Sequence, residues 1–138
     1  MRSTSQVTED DCRHDADQVD PTAPGYGAHL PFHSILQRCG LAWRNFMADM
    51  PLDYAGIIVP NVNADFVAEV GLGDLDIDVS LVKVGRTSFT VECLVSQTER
   101  TAARVTVVLV AFDYPGGVSI PLTDAQREWL AQVPQKVV

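Results

Sequence analysis

The sequence has little cysteine and no long apolar run. It contains three cysteines among 138 residues, at positions 12, 39 and 93. An odd number without short spacing argues against a disulfide framework and against a zinc site. Cys39 and Cys93 lie in apolar segments, so we expect both to be small buried hydrophobes. No apolar run reaches the roughly 18 residues that a membrane span needs, and we expect no membrane interaction.

The N-terminal stretch "MRSTSQVTEDDCRHDADQVDPTAPG" has no apolar segment of the kind that a signal peptide needs. We therefore expect a cytoplasmic protein. Residues 1–24 are interpreted as a flexible acidic tail, with a short edge strand near Gln18–Val19. The length is typical of one domain, and we assign residues 25–138 to it.

Basic residues are scarce. The chain has 10 Lys and Arg against 18 Asp and Glu, a net charge of −8. Residues 1–20 alone carry six acids and two arginines. Nucleic-acid binding is not expected, because no basic stripe is present to replace the counterions of phosphates. An anionic ligand would need a locally placed Arg or Lys.

One long helix is predicted from Pro31 to about Met50. Pro31 suits a first helical turn, where its missing N–H costs nothing, and Pro51 ends the helix. Leu41 and Ala42 widen the apolar face, which indicates that the helix is enclosed on more than one side. The apolar residues that recur at steps of three and four are Phe32, Ile35, Leu36, Cys39, Trp43, Phe46 and Met47.

Four strands in a meander and a short C-terminal helix are predicted to follow. The second and third strands alternate, with Leu75, Ile77, Val79 and Leu81 and then Phe89, Val91, Cys93 and Val95 facing inward. "AARVTVVLVAF" is apolar at nearly every step, as in a central strand covered on both faces, and this favours a partner subunit. Thr123 and Gln126 have the spacing of a helix-capping box. The predicted class is α+β, an antiparallel sheet curled around one long helix.

The order and spacing of these segments resemble a known family. "VNADFVAEVGLGDLDIDVSLVKVGRTSFTVECLV", then a Val-rich strand and "IPLTDAQREWL", resemble the hotdog-fold acyl-CoA thioesterases of the 4-hydroxybenzoyl-CoA thioesterase-like group. The resemblance covers about residues 26–130. It implies a hotdog fold, in which the sheet wraps the long helix. It also implies hydrolysis of an acyl-CoA or acyl-carrier-protein thioester, with CoA entering as substrate and no cofactor.

The resemblance further implies an obligate homodimer, often a dimer of dimers (a homotetramer), with active sites at the subunit interface. By the same resemblance, a backbone N–H at the start of the long helix is expected to polarise the thioester carbonyl. Here the candidate donors are Phe32 and His33, since Pro31 has no N–H. CoA phosphates would meet the turn that contains Arg86, Thr87 and Ser88.

The chain departs from this family at the catalytic acid. "AHL" at 28–30 matches the family's Gly-His-Val run, which places Gly25 where the family has an Asp, and no acid lies between Pro21 and Pro31. Three hypotheses stay open. Either Asp17 or Asp20 replaces the acid across an insertion, or His29, His33 or a water held by polar groups does its work. In the third, the chemistry is lost, leaving a non-catalytic acyl-CoA-binding protein or a structural partner.

Other candidates have weaker support. Tyr26 lines the pocket or serves only as a turn residue. Asn63 and Asp65 share one strand face, which is more often solvated than functional, and Asp65 is an outside candidate for the base. His29 and His33 have the i, i+4 spacing of metal ligands, but no third ligand is evident, so we expect no metal site.

Overall fold

A computed structural model describes residues 3–7, 29–51 and 56–137 of the chain. Gly25, Asp17, Asp20, Tyr26 and the strand predicted near Gln18–Val19 lie outside the described residues. The elements, in chain order, are β1 (Ser3–Val7), α1 (Phe32–Phe46), β2 (Gly56–Phe66), β3 (Leu75–Val84), β4 (Ser88–Gln97), β5 (Arg100–Asp113), β6 (Val118–Ser119) and α2 (Asp124–Gln132).

The sheet is antiparallel, with the strand order β1-β3-β4-β5-β2 and with β6 paired to β5. The prediction of a simple meander is correct for β3, β4 and β5 and wrong for β2. Strand β2 pairs with β5, so residues 67–74 cross from one side of the sheet to the other. Alternation along a strand reports which face is buried but does not specify the neighbouring strand, and the sequence therefore did not reveal this crossing.

Strand β1 lies in the segment that we interpreted as a tail. It pairs with β3 from Ser3↔Val79 to Val7↔Leu75. The stretch "STSQV" has only one apolar residue, so its pairing could not be predicted from hydrophobic alternation.

The core lies between α1 and the inner face of the sheet. The inward residues predicted for β3 and β4 are confirmed, each with no more than 3% of its surface exposed. Cys39 and Cys93 are both buried, as predicted. The pKa of the Cys93 thiol is raised by a hydrogen bond with the Cys39 side chain and by burial. Both cysteines therefore act as small core residues between α1 and β4.

Helix α1 is shorter than predicted and is covered mainly on one face. It ends at Phe46, and a tighter turn follows, in which Met50 N–H donates to the Met47 carbonyl at 3.0 Å. Its buried residues are spaced along one side, whereas Phe32, in the first turn, is 62% exposed. The prediction that Phe32 belongs to the enclosed face is therefore wrong, because its ring packs on Phe66, which is itself exposed on the outermost strand β2.

The C-terminal helix and the residues after it close the other end of the core. The predicted capping box is confirmed: Gln126 N–H donates to Thr123 Oγ1 at 3.1 Å, and Thr123 N–H donates to Gln126 Oε1 at 2.8 Å. Trp129 packs edge-to-face on Phe46 at 6.0 Å between ring centroids. Beyond α2, Lys136 bonds to Glu92 on the outer face of β4 at 2.8 Å. The chain end is thus anchored to the sheet.

The β4–β5 hairpin turns through Thr98 and Glu99, which both have positive φ, 48° and 62°. Positive φ at both central residues is the requirement of a type I′ turn, whose twist matches that of the flanking strands. Non-glycine residues are strained there, by about 1–3 kcal/mol in sparsely populated backbone regions. The hairpin loop predicted at this point is confirmed, but with residues that do not favour its geometry.

Replacing Thr98 and Glu99 together by Asn and Gly is expected to stabilise the protein by about 1 kcal/mol, because Asn-Gly is the preferred type I′ pair. Urea unfolding of wild type and the T98N/E99G variant measures the change. Glu128→Gly, on the exposed face of α2, is the matched control and should destabilise by about 1 kcal/mol. A lower free energy of unfolding for T98N/E99G than for wild type would contradict backbone strain at Thr98 and Glu99.

Candidate active site at the start of helix α1

The start of α1 has no side-chain cap. Its N-cap is Pro31, which makes no capping hydrogen bond, and its first turn carries no acid. Ser34 N–H and Ile35 N–H reach the Pro31 carbonyl at 3.1 and 3.4 Å. Among the described residues, Phe32 N–H and His33 N–H have no hydrogen-bond acceptor, so they are the candidate donors of the first turn. Helix α2, by contrast, has a complete capping box. The uncapped end leaves two N–H groups and the positive end of the helix dipole directed at its surroundings.

Backbone pairing sets where α1 begins relative to the sheet. Leu30 N–H donates to the Val70 carbonyl at 2.8 Å, and His29 forms an antiparallel bridge with Gly71. His29 and Leu30, which precede Pro31 and the helix, therefore lie alongside the connection from β2 to β3.

The β2–β3 connection, residues 67–74, is itself fixed at several points. Val67 N–H and Ala68 N–H both donate to the Ala102 carbonyl, at 2.8 and 3.1 Å. The Gln97 amide accepts from Gly71 N–H at 2.9 Å and donates to the Gly71 carbonyl at 3.1 Å. The buried side chain of Arg38 donates to the Gly73 carbonyl. The connection is thus held to β4, β5 and α1.

A cavity of about 440 Å³ lies between the helix start and this connection. Phe32 and Phe66 form one wall, with their rings edge-to-face at 6.3 Å between centroids. Among the described residues, apolar side chains make up most of the lining, and two titratable side chains join them. The lining residues are His29, Leu30, Phe32, Ile35, Phe66, Val67, Ala68, Glu69 and Val70.

The two titratable residues of the lining form a pair. His29 Nε2 lies 3.4 Å from Glu69 Oε2, and both side chains are accessible to solvent. Glu69 was not among the candidates from the sequence. In "FVAEV" it looks like a solvated position of a strand, and only the crossing of residues 67–74 over the helix start brings it beside His29.

The other predicted residues near the helix start are placed differently. The ring of His33 packs edge-to-face on Phe32 at 5.9 Å, outside the residues that line the cavity. Asn63 and Asp65 lie opposite Thr106 and Arg104 of β5, on the face of β2 away from Phe66. Within one chain they do not meet the cavity.

Arg86, Thr87 and Ser88 lie at the opposite end of the sheet. Strand β3 separates them from the helix start, and its 10 residues span about 30 Å. Their turn is held by α2: Arg127 donates to the carbonyls of Gly85 and Arg86, at 2.9 and 3.2 Å. The Arg86 side chain is exposed. One chain therefore does not join this turn to the cavity.

Two further observations concern the part of the chain that the structure describes. None of its helices is long and apolar enough to cross a membrane. Among the same residues, no group of three or more His, Cys, Asp or Glu side chains is arranged to hold a metal ion.

Solved structures support the fold. The chain resembles a predicted thioesterase from Bacillus stearothermophilus, with a TM-score of 0.76, 17% identity and coverage of 99% of this chain and 100% of that one. It also resembles a 1,4-dihydroxy-2-naphthoyl-CoA thioesterase from Synechocystis, with a TM-score of 0.73, 16% identity and coverage of 96% and 97%. A third is a thioesterase from Thermus thermophilus complexed with coenzyme A and Zn, with a TM-score of 0.70, 24% identity and coverage of 94% and 90%.

No curated protein matches the sequence. The family model described as "Thioesterase-like superfamily" matches residues 13–130, most of the chain. That match agrees with the helix-wrapping antiparallel sheet and with the structural likenesses, and the predicted hotdog fold is confirmed. The chain belongs to the thioesterase-like superfamily.

Proposed function

We propose that this protein hydrolyses an acyl thioester of coenzyme A to a free acid and a thiol. The observation that carries the proposal is the apolar cavity at the uncapped start of α1. The fold alone would be a weak argument, since one fold supports many chemistries. The arrangement of donors, apolar walls and a titratable pair in one cavity supports this chemistry more directly.

The helix start supplies the polarising groups. Attack on a thioester carbonyl builds negative charge on its oxygen, and preorganised N–H donors stabilise that oxyanion. Phe32 N–H and His33 N–H point out of the first turn of α1 and carry no capping side chain. In this proposal the thioester oxygen takes the place that a capping oxygen occupies at other helices.

The cavity walls suit the acyl group. The Phe32 and Phe66 rings, with Leu30, Ile35 and Val67, present apolar surface beside the helix start. Burial of an acyl chain against such surface is favourable by roughly 25 cal/mol per Å². Two structural relatives support coenzyme A as the thiol, namely the naphthoyl-CoA thioesterase and the thioesterase complexed with coenzyme A.

A homodimer is part of the proposal. Among the described strands, β2 is the last of the sheet, and exposed apolar residues lie on or beside it: Val59, Val62, Phe66 and Val67. An unpaired edge of this kind is a template for another strand. A second copy, paired antiparallel along β2, would cover these residues and close the open side of the cavity.

The same pairing would complete a coenzyme A site. Phe66, at one end of β2, lines the cavity. Near the other end of β2, Ile58 pairs with Val110 of β5, and Val110 pairs in turn with Ser88, which follows the Arg86 turn. Antiparallel pairing of two β2 strands places the Arg86 turn of one copy at the cavity end of the other. Arg86 is then available to bind phosphate.

The helix-start proposal predicts a difference between two substitutions of one residue. Phe32→Pro removes the backbone N–H at a position where proline suits a helix, whereas Phe32→Ala removes only the ring. His33→Pro and His33→Ala form the second pair. In at least one pair, kcat for acyl-CoA hydrolysis should be about 10²- to 10³-fold lower for the proline variant than for the alanine variant. Thiol release across a panel of acyl-CoAs measures kcat.

Two results would contradict this assignment. Absence of thiol release by wild type from any acyl-CoA removes the proposed function, and favours a protein that binds acyl-CoA without turnover or a structural partner. If each proline variant has the same kcat as its alanine control, the N–H groups of Phe32 and His33 do not stabilise the oxyanion.

The dimer proposal predicts that wild type has twice the 15.0 kDa mass of the chain in light scattering, or a higher even multiple for a dimer of dimers. Val62→Glu places a charge on the β2 surface and should give a monomer. Val118→Glu, at an equally exposed position on β6, is the matched control and should leave the mass unchanged. A monomeric wild type would contradict the shared site.

The coenzyme A site predicts that Arg86→Ala raises KM for an acyl-CoA about tenfold at unchanged kcat, as loss of a uniform binding contact does. The same acyl group on N-acetylcysteamine, which has no phosphates, should show no change. Arg104→Ala, on the outer face of the sheet, serves as the control. Equal effects of Arg86→Ala on both thioesters would argue against a phosphate contact.

A further inference from the structure

The His29–Glu69 pair lies on the cavity that the proposed reaction uses. The two side chains come from segments whose backbones are paired, through Leu30 N–H to the Val70 carbonyl and the His29–Gly71 bridge. Their approach therefore follows from the fold, and not only from the reach of two long side chains. Solvent-exposed ion pairs add little to stability, so the fold does not depend on this pair to hold the two segments together.

We propose that His29 is the general base that activates the attacking water and that Glu69 is the positioning residue that orients its imidazole. This inference rests on the proposed thioester hydrolysis and names the residues that would perform its proton transfers. His29 would then activate the water in a chain that has glycine, at position 25, where the resemblance led us to expect an Asp.

The geometry matches the requirements of a base with an orienting partner. Glu69 Oε2 lies 3.4 Å from His29 Nε2, so Nε2–H can donate a hydrogen bond to the carboxylate. The other ring nitrogen, Nδ1, is then the one that can accept a proton from water. Among the described residues that line the cavity, His29 and Glu69 are the side chains able to accept a proton from water. Asp65, the outside candidate for the base, lies on the face of β2 away from Phe66.

The proton balance of the reaction closes with these groups. His29 Nδ1 takes one proton from water as the water oxygen bonds to the thioester carbon, and the carbonyl oxygen becomes an oxyanion held by the helix-start N–H groups. Collapse of this intermediate re-forms the carbonyl and breaks the C–S bond. The imidazolium returns the proton to the departing sulfur, so the products are a carboxylic acid and a thiol.

The test compares kcat and KM for His29→Asn, Glu69→Gln, Glu69→Asp and the double variant H29N/E69Q, with an acyl-CoA that wild type hydrolyses. His29→Asn should lower kcat about 10²- to 10⁴-fold with little change in KM. Glu69→Gln should also lower kcat, and Glu69→Asp should restore part of the loss because it keeps the carboxylate. The double variant should be no slower than His29→Asn, because the two residues act as a unit.

Glu128→Gln, an exposed acid on α2, is the matched control and should keep wild-type kcat. Unchanged thermal unfolding verifies that each variant is folded. Wild-type kcat in either His29→Asn or Glu69→Gln overturns the assignment and leaves the hydrolysis standing, and so does a larger loss in Glu69→Gln than in His29→Asn. A wild type that releases no thiol from any acyl-CoA overturns both.

Discussion

The hydrogen bond from Leu30 N–H to the Val70 carbonyl holds the chain just before the long helix against the connection between β2 and β3. It fixes the first turn of α1 against a segment that crosses the end of the sheet. The cavity, the Phe32–Phe66 wall and the approach of His29 to Glu69 all follow from this one register. Gln97 and Arg38 hold the same connection from β4 and from the helix, so the register is supported on both sides.

The two helices of the domain show how local chemistry separates a structural role from a proposed functional one. Thr123 and Gln126 form a capping box at the start of α2. The capped helix holds the Arg86 turn through the hydrogen bond from Arg127 to the Arg86 carbonyl. The start of α1 has a proline where a capping residue would stabilise the helix by about 1 kcal/mol. Leaving those donors open costs stability, and such a cost is expected where the donors serve a ligand.

Much of the fold could be predicted from hydrophobic periodicity. The inward faces of β3 and β4, the two buried cysteines and the cap of α2 were correct because each depends on neighbours within a few residues. The partner of β2, the strand at Ser3–Val7 and the exposure of Phe32 were missed because they depend on which distant segments meet. The hotdog resemblance supplied the class of fold, and the structure supplied the pairings.

The candidate site divides in the same way. The helix start was identified from the position of Pro31, and His29 was named as a candidate beside it. Glu69 was not, since it lies 40 residues further along the chain, in a stretch whose alternation is that of a solvated strand face. Asn63 and Asp65 had better sequence arguments than Glu69, yet they lie on the opposite face of β2. Asp17, Asp20 and Tyr26 stay predictions from the sequence.

The central claim is that the start of α1 holds a thioester oxygen in the cavity. A crystal structure with an acyl-CoA analogue, whose sulfur is replaced by a methylene group so that the carbonyl is kept and hydrolysis is blocked, tests it most directly. The account predicts the carbonyl oxygen about 3 Å from the backbone nitrogen of Phe32 or His33, with the acyl group against Phe66. An analogue bound with its carbonyl away from the helix start would contradict the account.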